Sequence, residues 1–212
     1  MLWSLVLLTV MLCFLADAIP AAATPSYCDS VSGNLVQNCG FETGDYTGWT
    51  LSGDTAFASV EQGFVPPFGP SYLLMPSSGN YFALTASFVS LSENIATTPG
   101  VSYLISFFVY STTNHAQDLT VDWGGNTILD QAFTPGMFDQ WIVYTLTEGT
   151  SAATTPLSFN FQAPFGYFAL DDVTVVATPE PGSLALLGTG VLGLAGALRR
   201  KLAGSQDAAC TR

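Results

Sequence analysis

Positive charge is almost absent from this sequence of 212 residues, which holds 4 Lys and Arg against 16 Asp and Glu. The cations are Arg199, Arg200, Lys201 and Arg212, so no Lys or Arg precedes residue 199. Binding to DNA or RNA depends on clustered cations that neutralise phosphates. We therefore expect no nucleic-acid partner, and acidic polysaccharides are disfavoured for the same reason.

Catalytic signatures are also scarce. The single histidine, His115, lies in a polar stretch typical of a loop, and no serine sits in a Gly-x-Ser-x-Gly elbow. Glycoside hydrolysis needs two positioned carboxyl groups, and no pattern here pairs two of them. We predict that the protein is not an enzyme, and a secreted hydrolase is the least favoured alternative.

The first residues have the composition of an export signal. Residues 2–15 are almost wholly apolar, and three alanines at 21–23 offer the small side chains of a cleavage site. This arrangement predicts a secretory signal peptide over residues 1–23. Export would place the remaining chain in an oxidising compartment, where disulfides form.

The other end of the chain combines a turn, an apolar run and a basic cluster. Pro179, Glu180 and Pro181 precede an uncharged stretch at 183–198, and Arg199, Arg200 and Lys201 follow it. As a helix this stretch would be about 24 Å long, and snorkelling cations extend its reach. We predict a transmembrane helix at 183–198, with residues 204–212 held in the cytoplasm by the positive flank.

This three-part tail, at residues 179–203, resembles the PEP-CTERM sorting signal of Gram-negative bacteria. The Pro-Glu-Pro turn, the Gly/Leu/Ala-rich span and the basic cluster occur in the expected order. The resemblance implies that an exosortase processes the tail after transient anchoring in the inner membrane. It further implies delivery of the protein to the cell surface or to the exopolysaccharide matrix, as in biofilms.

The middle of the chain, residues 24–178, has the pattern of a single all-β domain. Apolar and polar residues alternate over residues 101–110, 119–123 and 157–162, and no stretch keeps a helical period. About nine short strands with frequent turns predict a jelly-roll β-sandwich. Cys28 and Cys39 are the only cysteines in this part of the sequence, and we predict a disulfide between them.

Both ends of this domain resemble carbohydrate-binding modules of the galactose-binding-like type. The resemblance rests on residues 34–44, which run from Asn-Leu-Val-Gln-Asn to Phe-Glu-Thr-Gly, and on Phe-Ala-Leu-Asp-Asp-Val at 168–173. In such modules a structural Ca²⁺ is often held near the two chain ends. The resemblance therefore implies that Glu42 and either Asp171 or Asp172 ligate Ca²⁺, with Asp45 as a further oxygen donor.

Sugar binding requires an exposed aromatic platform beside polar groups. Trp123 precedes the Gly124-Gly125 turn, and we predict that it is the exposed aromatic residue that binds carbohydrate. The function that follows is a non-enzymatic, exported surface protein that binds carbohydrate or exopolysaccharide. A purely structural surface protein without a sugar ligand is the first alternative.

Overall fold

A computed structural model of the protein describes residues 24–67, 73–112, 115–134, 140–178, 189–190 and 192–194. The predicted signal peptide at 1–23 and the tail at 204–212 lie outside the described residues, as does most of the predicted transmembrane helix at 183–198. Residues 189–190 and 192–194 are helical. Within the described ranges, no helix is long and apolar enough to cross a membrane.

The described part of the chain forms a short helix and eight strands. The helix is α1 (Tyr27–Ser30), and the strands are β1 (Thr50–Gly53), β2 (Ala58–Glu61), β3 (Phe82–Ala96), β4 (Ser102–Ser111), β5 (Gln117–Trp123), β6 (Asn126–Phe133), β7 (Ile142–Gly149) and β8 (Thr154–Ala177). A 3₁₀ turn at Thr55–Phe57 links β1 to β2. The prediction of about nine short strands is wrong in this respect. The described residues form eight strands, because β3 and β8 are long and each takes the place of two short strands.

The two long strands belong to both layers of a β-sandwich. The first half of β3 and the second half of β8 pair in one layer, which runs β2–β3–β8–β4–β7. The remaining halves pair in the other layer, which runs β1–β3–β8–β5–β6. All these ladders are antiparallel, and the long strands bend where they pass from one layer to the other.

The core lies between the two layers and confirms the predicted alternation. Tyr103, Ile105, Phe107 and Val109 are buried along β4, and Leu119, Val121 and Trp123 are buried along β5. The layers meet directly, since the ring centroids of Phe107 and Phe159 lie 4.9 Å apart in an edge-to-face contact.

The N-terminal segment is fastened to the last strand. Cys28 and Cys39 form a disulfide, as predicted, with their Cα atoms 6.0 Å apart. Backbone bonds join Leu35 N to Val175 O at 3.0 Å and Val173 N to Cys39 O at 2.9 Å. These contacts bring the predicted acidic residues of the two chain ends into one neighbourhood.

Candidate functional site

Asp171 is the most enclosed of the four predicted calcium ligands. Its Oδ2 accepts bonds from the backbone N–H groups of Ser77 at 2.8 Å and Ser78 at 3.4 Å, and its Oδ1 accepts one from Asp172 N at 2.8 Å. Burial, followed by repulsion from the Asp172 carboxylate, raises the pKa of Asp171 to about 8. The bonds lower the pKa, but they do not outweigh desolvation.

Asp172 is buried beside it and occupies a left-handed backbone conformation, with φ of 51°. Its Oδ1 accepts a bond from Cys28 N at 3.1 Å, and the Ser78 hydroxyl bonds both carboxylate oxygens at 2.7 and 2.9 Å. We call Asp171, Asp172, Ser77 and Ser78 the closing joint. It ties the last strand to α1 and to the loop before β3.

Glu42 contacts a different part of the same loop. Its carboxylate accepts bonds from Asn80 N at 2.8 Å, Tyr81 N at 3.1 Å and Asn80 Nδ2 at 3.0 Å. Gly79 has φ of 65°, and a side chain there would collide with the Glu42 carboxylate. The loop therefore closes over Glu42 because residue 79 lacks a Cβ atom.

Asp45 is exposed and stabilises its own turn. It accepts bonds from the Thr43 hydroxyl at 2.7 Å and from Thr47 N at 2.9 Å. These hydrogen bonds, led by those from Thr47 and Thr43, lower the pKa of Asp45. Its side chain points to local partners and not to the closing joint.

The four predicted ligands therefore do not form one chelating group in the described geometry. The one set of three His, Cys, Asp or Glu ligand atoms within 4.8 Å of one another, among the described residues, is Cys28, Asp29 and Cys39. Both cysteines are in the disulfide, so neither offers a thiolate. Asp171 and Asp172 are both buried, and residues 24–178 contain no Lys or Arg that could pair with them.

Trp123 is not exposed, and that prediction is wrong. Only 3% of its surface is accessible, and its Nε1 donates to Gly149 O at 3.0 Å. Its ring packs against Tyr103 at 5.9 Å. Trp123 follows the inward register of Leu119 and Val121, and the turn begins one residue later, so its ring offers no free face to a sugar.

An open cleft lies instead where β3 and β8 change layers. Its volume is about 450 Å³. The lining residues, which together define what we call the aromatic cleft, are Phe57, Ala86, Ser87, Thr112, His115, Ala163, Pro164, Phe165, Gly166 and Tyr167. They come from the 3₁₀ turn, from both bends and from the segment after β4.

Aromatic side chains form the walls of this cleft. Phe57 is 58% exposed and Phe165 is 70% exposed, which is unusual for phenylalanine in a domain with a well-filled core. The His115 ring lies 5.3 Å from the Phe165 ring, and the centroids of the Phe64 and Tyr167 rings lie 4.6 Å apart. Isolated Phe residues in turns carry no sequence signal, so the sequence did not single out Phe57 or Phe165.

A separate polar groove lies along the second layer. It is about 330 Å³ in volume and is lined by Ser52, Gly53, Phe88, Val89, Ser90, Asn160, Phe161 and Gln162. Hydrogen bonds connect side chains of neighbouring strands: Ser90 Oγ donates to Asn160 Oδ1 at 2.7 Å, and Asn160 Nδ2 donates to Asp122 Oδ2 at 2.8 Å. Amide and hydroxyl groups therefore line this groove, in which Phe88 and Gln162 are the chain neighbours of the cleft residues Ser87 and Ala163.

The tail was identified by comparison with protein families. The profile described as the PEP-CTERM protein-sorting motif matches residues 177–201. The chain carries a PEP-CTERM sorting motif. This motif indicates export and membrane-anchored sorting, although the residues that define it, Pro179 to Pro181 and Arg199 to Lys201, lie outside the described residues. No curated protein sequence matches the chain significantly.

The folded domain resembles carbohydrate-binding modules. TmCBM61, solved in complex with beta-1,4-galactotriose, superposes with a TM-score of 0.53 at 22% identity, over 69% of this chain and 100% of that one. The CBM22-1 xylan-binding domain of Paenibacillus barcinonensis Xyn10C gives 0.44 at 17% identity, over 65% and 90%. The K1 cleaved adhesin domain of Lys-gingipain from Porphyromonas gingivalis W83 gives 0.49 at 17%, over 66% and 96%. The first superposition establishes a shared β-sandwich fold.

Proposed function

We propose that this protein is an exported, non-enzymatic surface protein that binds a neutral carbohydrate in the aromatic cleft. The observation that carries the proposal is the pair of exposed phenylalanines, Phe57 and Phe165, on one open cleft. Covering an exposed aromatic ring with a ligand removes apolar surface from water, which contributes favourable free energy to binding. Concave, mostly apolar sites with a few polar groups are the usual ligand sites of proteins.

The charge of the domain selects among carbohydrates. Residues 24–178 contain acidic residues and no Lys or Arg, so a uronate or sulfate polymer would be repelled by the surface. The groove offers Asn160, Gln162 and Ser90, whose groups both donate and accept hydrogen bonds. This set suits the hydroxyl groups of an uncharged sugar.

The sorting motif supports a location outside the cell for the proposed carbohydrate binding. In the proposal, the signal peptide at 1–23 directs export, the helix at 183–198 anchors the chain transiently in the inner membrane, and an exosortase processes the tail. The domain then works at the cell surface or in the exopolysaccharide matrix. Carbohydrate binding there would attach the protein to matrix polymers.

A structural Ca²⁺ is a separate part of the proposal. Asp171 and Asp172 are the residues that would hold it, since a cation would neutralise two adjacent buried carboxylates. Glu42 and Asp45, as described above, contact other partners. The ion would stabilise the junction of the two chain ends and would have no part in sugar contacts.

The proposal is tested by carbohydrate retention of the purified full chain. Affinity electrophoresis on neutral polysaccharides, with β-1,4-galactan in the panel and polygalacturonate as the anionic control, should show retention on a neutral polymer only. Phe165→Ala should weaken retention about tenfold or more, while Tyr27→Ala, an aromatic residue 53% exposed outside the cleft, should not.

Other outcomes separate the alternatives. If no neutral polysaccharide retains the wild-type chain, the structural surface protein becomes the better reading. Release of reducing sugar from a retained polymer would favour the hydrolase. Retention that survives Phe165→Ala would place the sugar site outside the aromatic cleft.

A further inference from the structure

We infer that Asp54 is a positioning residue for the aromatic cleft: its hydrogen bond to Ser87 holds the turn that presents Phe57. We call this Asp54–Ser87 contact the clasp. The role of the clasp in binding rests on the proposed carbohydrate function. The contact itself is observed whether or not the cleft binds a sugar. Neither residue needs to touch the ligand for this role.

The turn that carries Phe57 is built on Asp54. Asp54 N donates to Phe88 O at 2.8 Å, and Phe57 N donates to Asp54 O at 2.9 Å, closing the 3₁₀ turn Thr55–Phe57. Gly53 precedes it with φ of 81°, and a Cβ atom there would collide with the carbonyl oxygen of Phe88. The turn is therefore pressed closely against the bend of β3.

Ser87 supplies the other half of the clasp from an unusual backbone position. Its hydroxyl donates to Asp54 Oδ2 at 2.5 Å. Its φ is 61°, in the left-handed region, beside the register shift in the β3–β8 ladder. This conformation is unfavourable for a non-glycine residue, and such strain tends to collect at functional sites.

Stability alone does not account for a serine at this position. The clasp is solvent-exposed, so water competes with it, and the backbone strain at Ser87 offsets part of the stability that the bond contributes. Glycine would adopt the same backbone conformation without strain. We therefore assign the Ser87 hydroxyl to holding Asp54, the residue that begins the Phe57 turn.

Phe57 needs this support because burial does not hold it. With 58% of its surface exposed, its place in the cleft depends on the backbone of the turn. A side chain that must be ordered when the ligand arrives costs binding free energy, whereas one already in place does not. The clasp would pre-order one wall of the cleft that Phe165 also lines.

The test uses full-chain variants that separate positioning from folding. Asp54→Ala and Ser87→Gly should each weaken retention on the neutral polysaccharide about three- to tenfold, the loss expected for one side chain that must be ordered on binding. Ser87→Gly should leave the Tm unchanged or higher. Asp54→Asn should bind like wild type, because its amide oxygen still accepts the Ser87 bond.

Two further measurements make the inference falsifiable on its own. In a Phe57→Ala background, Asp54→Ala should cause no further loss of affinity. Without any ligand, the Phe57 amide should exchange with solvent faster in Asp54→Ala and Ser87→Gly than in Asp54→Asn. Equal exchange in all three variants overturns the inference, whatever the polysaccharide results show.

The inference and the proposed function fail in different ways. If Phe165→Ala abolishes retention while Asp54→Ala and Ser87→Gly bind like wild type, the cleft binds sugar and only the clasp is rejected. If the wild-type chain binds no sugar but Phe57 exchange follows the clasp, the proposed function fails and the positioning contact remains.

Discussion

The closing joint and the aromatic cleft lie only a few residues apart on β8, yet their side chains have opposite relations to water. At the joint, Asp171 and Asp172 are buried and bonded to backbone and hydroxyl donors. At the cleft, Phe165 is an apolar side chain left in solvent. The joint uses polar groups to close the fold, whereas the cleft leaves apolar surface in contact with water.

The largest difference in unfolding free energy is expected between truncating an aromatic side chain of the core and truncating one of the cleft. Trp123→Ala should cost about 3–5 kcal/mol of unfolding free energy, since it removes a buried ring and leaves a cavity. Phe57→Ala should change that free energy by less than about 0.5 kcal/mol, because the ring is mostly exposed. Urea denaturation of the full chain measures both. A costly Phe57→Ala would mean that the cleft wall is part of the core.

The joint is tested by comparing a buried carboxylate with an exposed one. Asp171→Ala should cost about 2–4 kcal/mol, because the N–H groups of Ser77, Ser78 and Asp172 lose their acceptor. Asp45→Ala is the matched control, and we expect a much smaller loss of stability, because Asp45 is exposed and water can replace its hydrogen bonds. Similar losses in the two variants would contradict a special role for the joint.

Glu93 is a second buried carboxyl group, and its titration should make the stability of the fold depend on pH. It is buried, its Oε1 accepts Gln37 N at 2.9 Å, and its Oε2 has no hydrogen-bond partner among the described residues. Burial raises the pKa of Glu93 to about 7. The folded state therefore holds this proton more tightly than the unfolded state, and stability falls as pH rises from about 4.5 to about 7.

The Tm of the wild-type chain should accordingly be lower at pH 8 than at pH 5. Glu93→Gln keeps an acceptor for Gln37 and removes the titration, so its Tm should fall less over the same range. Asp171 contributes a drop of the same sign over a wider range, from about pH 3.8 to about pH 8, because its pKa is raised from 3.8 to about 8. Identical pH profiles for wild type and Glu93→Gln would contradict the assignment to Glu93.

Calcium should give the smallest effect, because protein donors already bond the joint carboxylates. Adding Ca²⁺ to chelator-treated protein should raise the Tm by a few degrees if the ion joins Asp171 and Asp172. Asp171→Asn should abolish that rise, and Asp45→Asn should not. An unchanged Tm would mean that hydrogen bonds alone satisfy the pair.

Much of the fold could be predicted because it follows from short-range patterns. Alternation along β4 and β5 indicated which side chains face the core, and the Gly124-Gly125 turn indicated the β5–β6 hairpin. Trp123 shows the limit of this reasoning. Its position beside a turn suggested exposure, but its register with Val121 placed it inside the sandwich.

The site could be predicted less well, because it is assembled from distant residues. Phe57 and Phe165 stand more than a hundred positions apart and share no motif, and only the bends of β3 and β8 bring them to one cleft. The clasp has the same origin, since Asp54 and Ser87 meet through a bulge that alternation does not signal. Of the predicted calcium residues, Glu42 and Asp171 bond different parts of one loop, and Asp45 bonds its own turn.

The sequence by itself determined the sorting motif, the near absence of positive charge, the disulfide and the sandwich class. Each of these depends on composition or on neighbours a few residues away. The tertiary structure alone decided which aromatic side chains remain in water and which carboxylates are buried. Those properties depend on where the two long strands bend. The bends bring together residues that are far apart in the sequence, and no local pattern predicts which residues will meet.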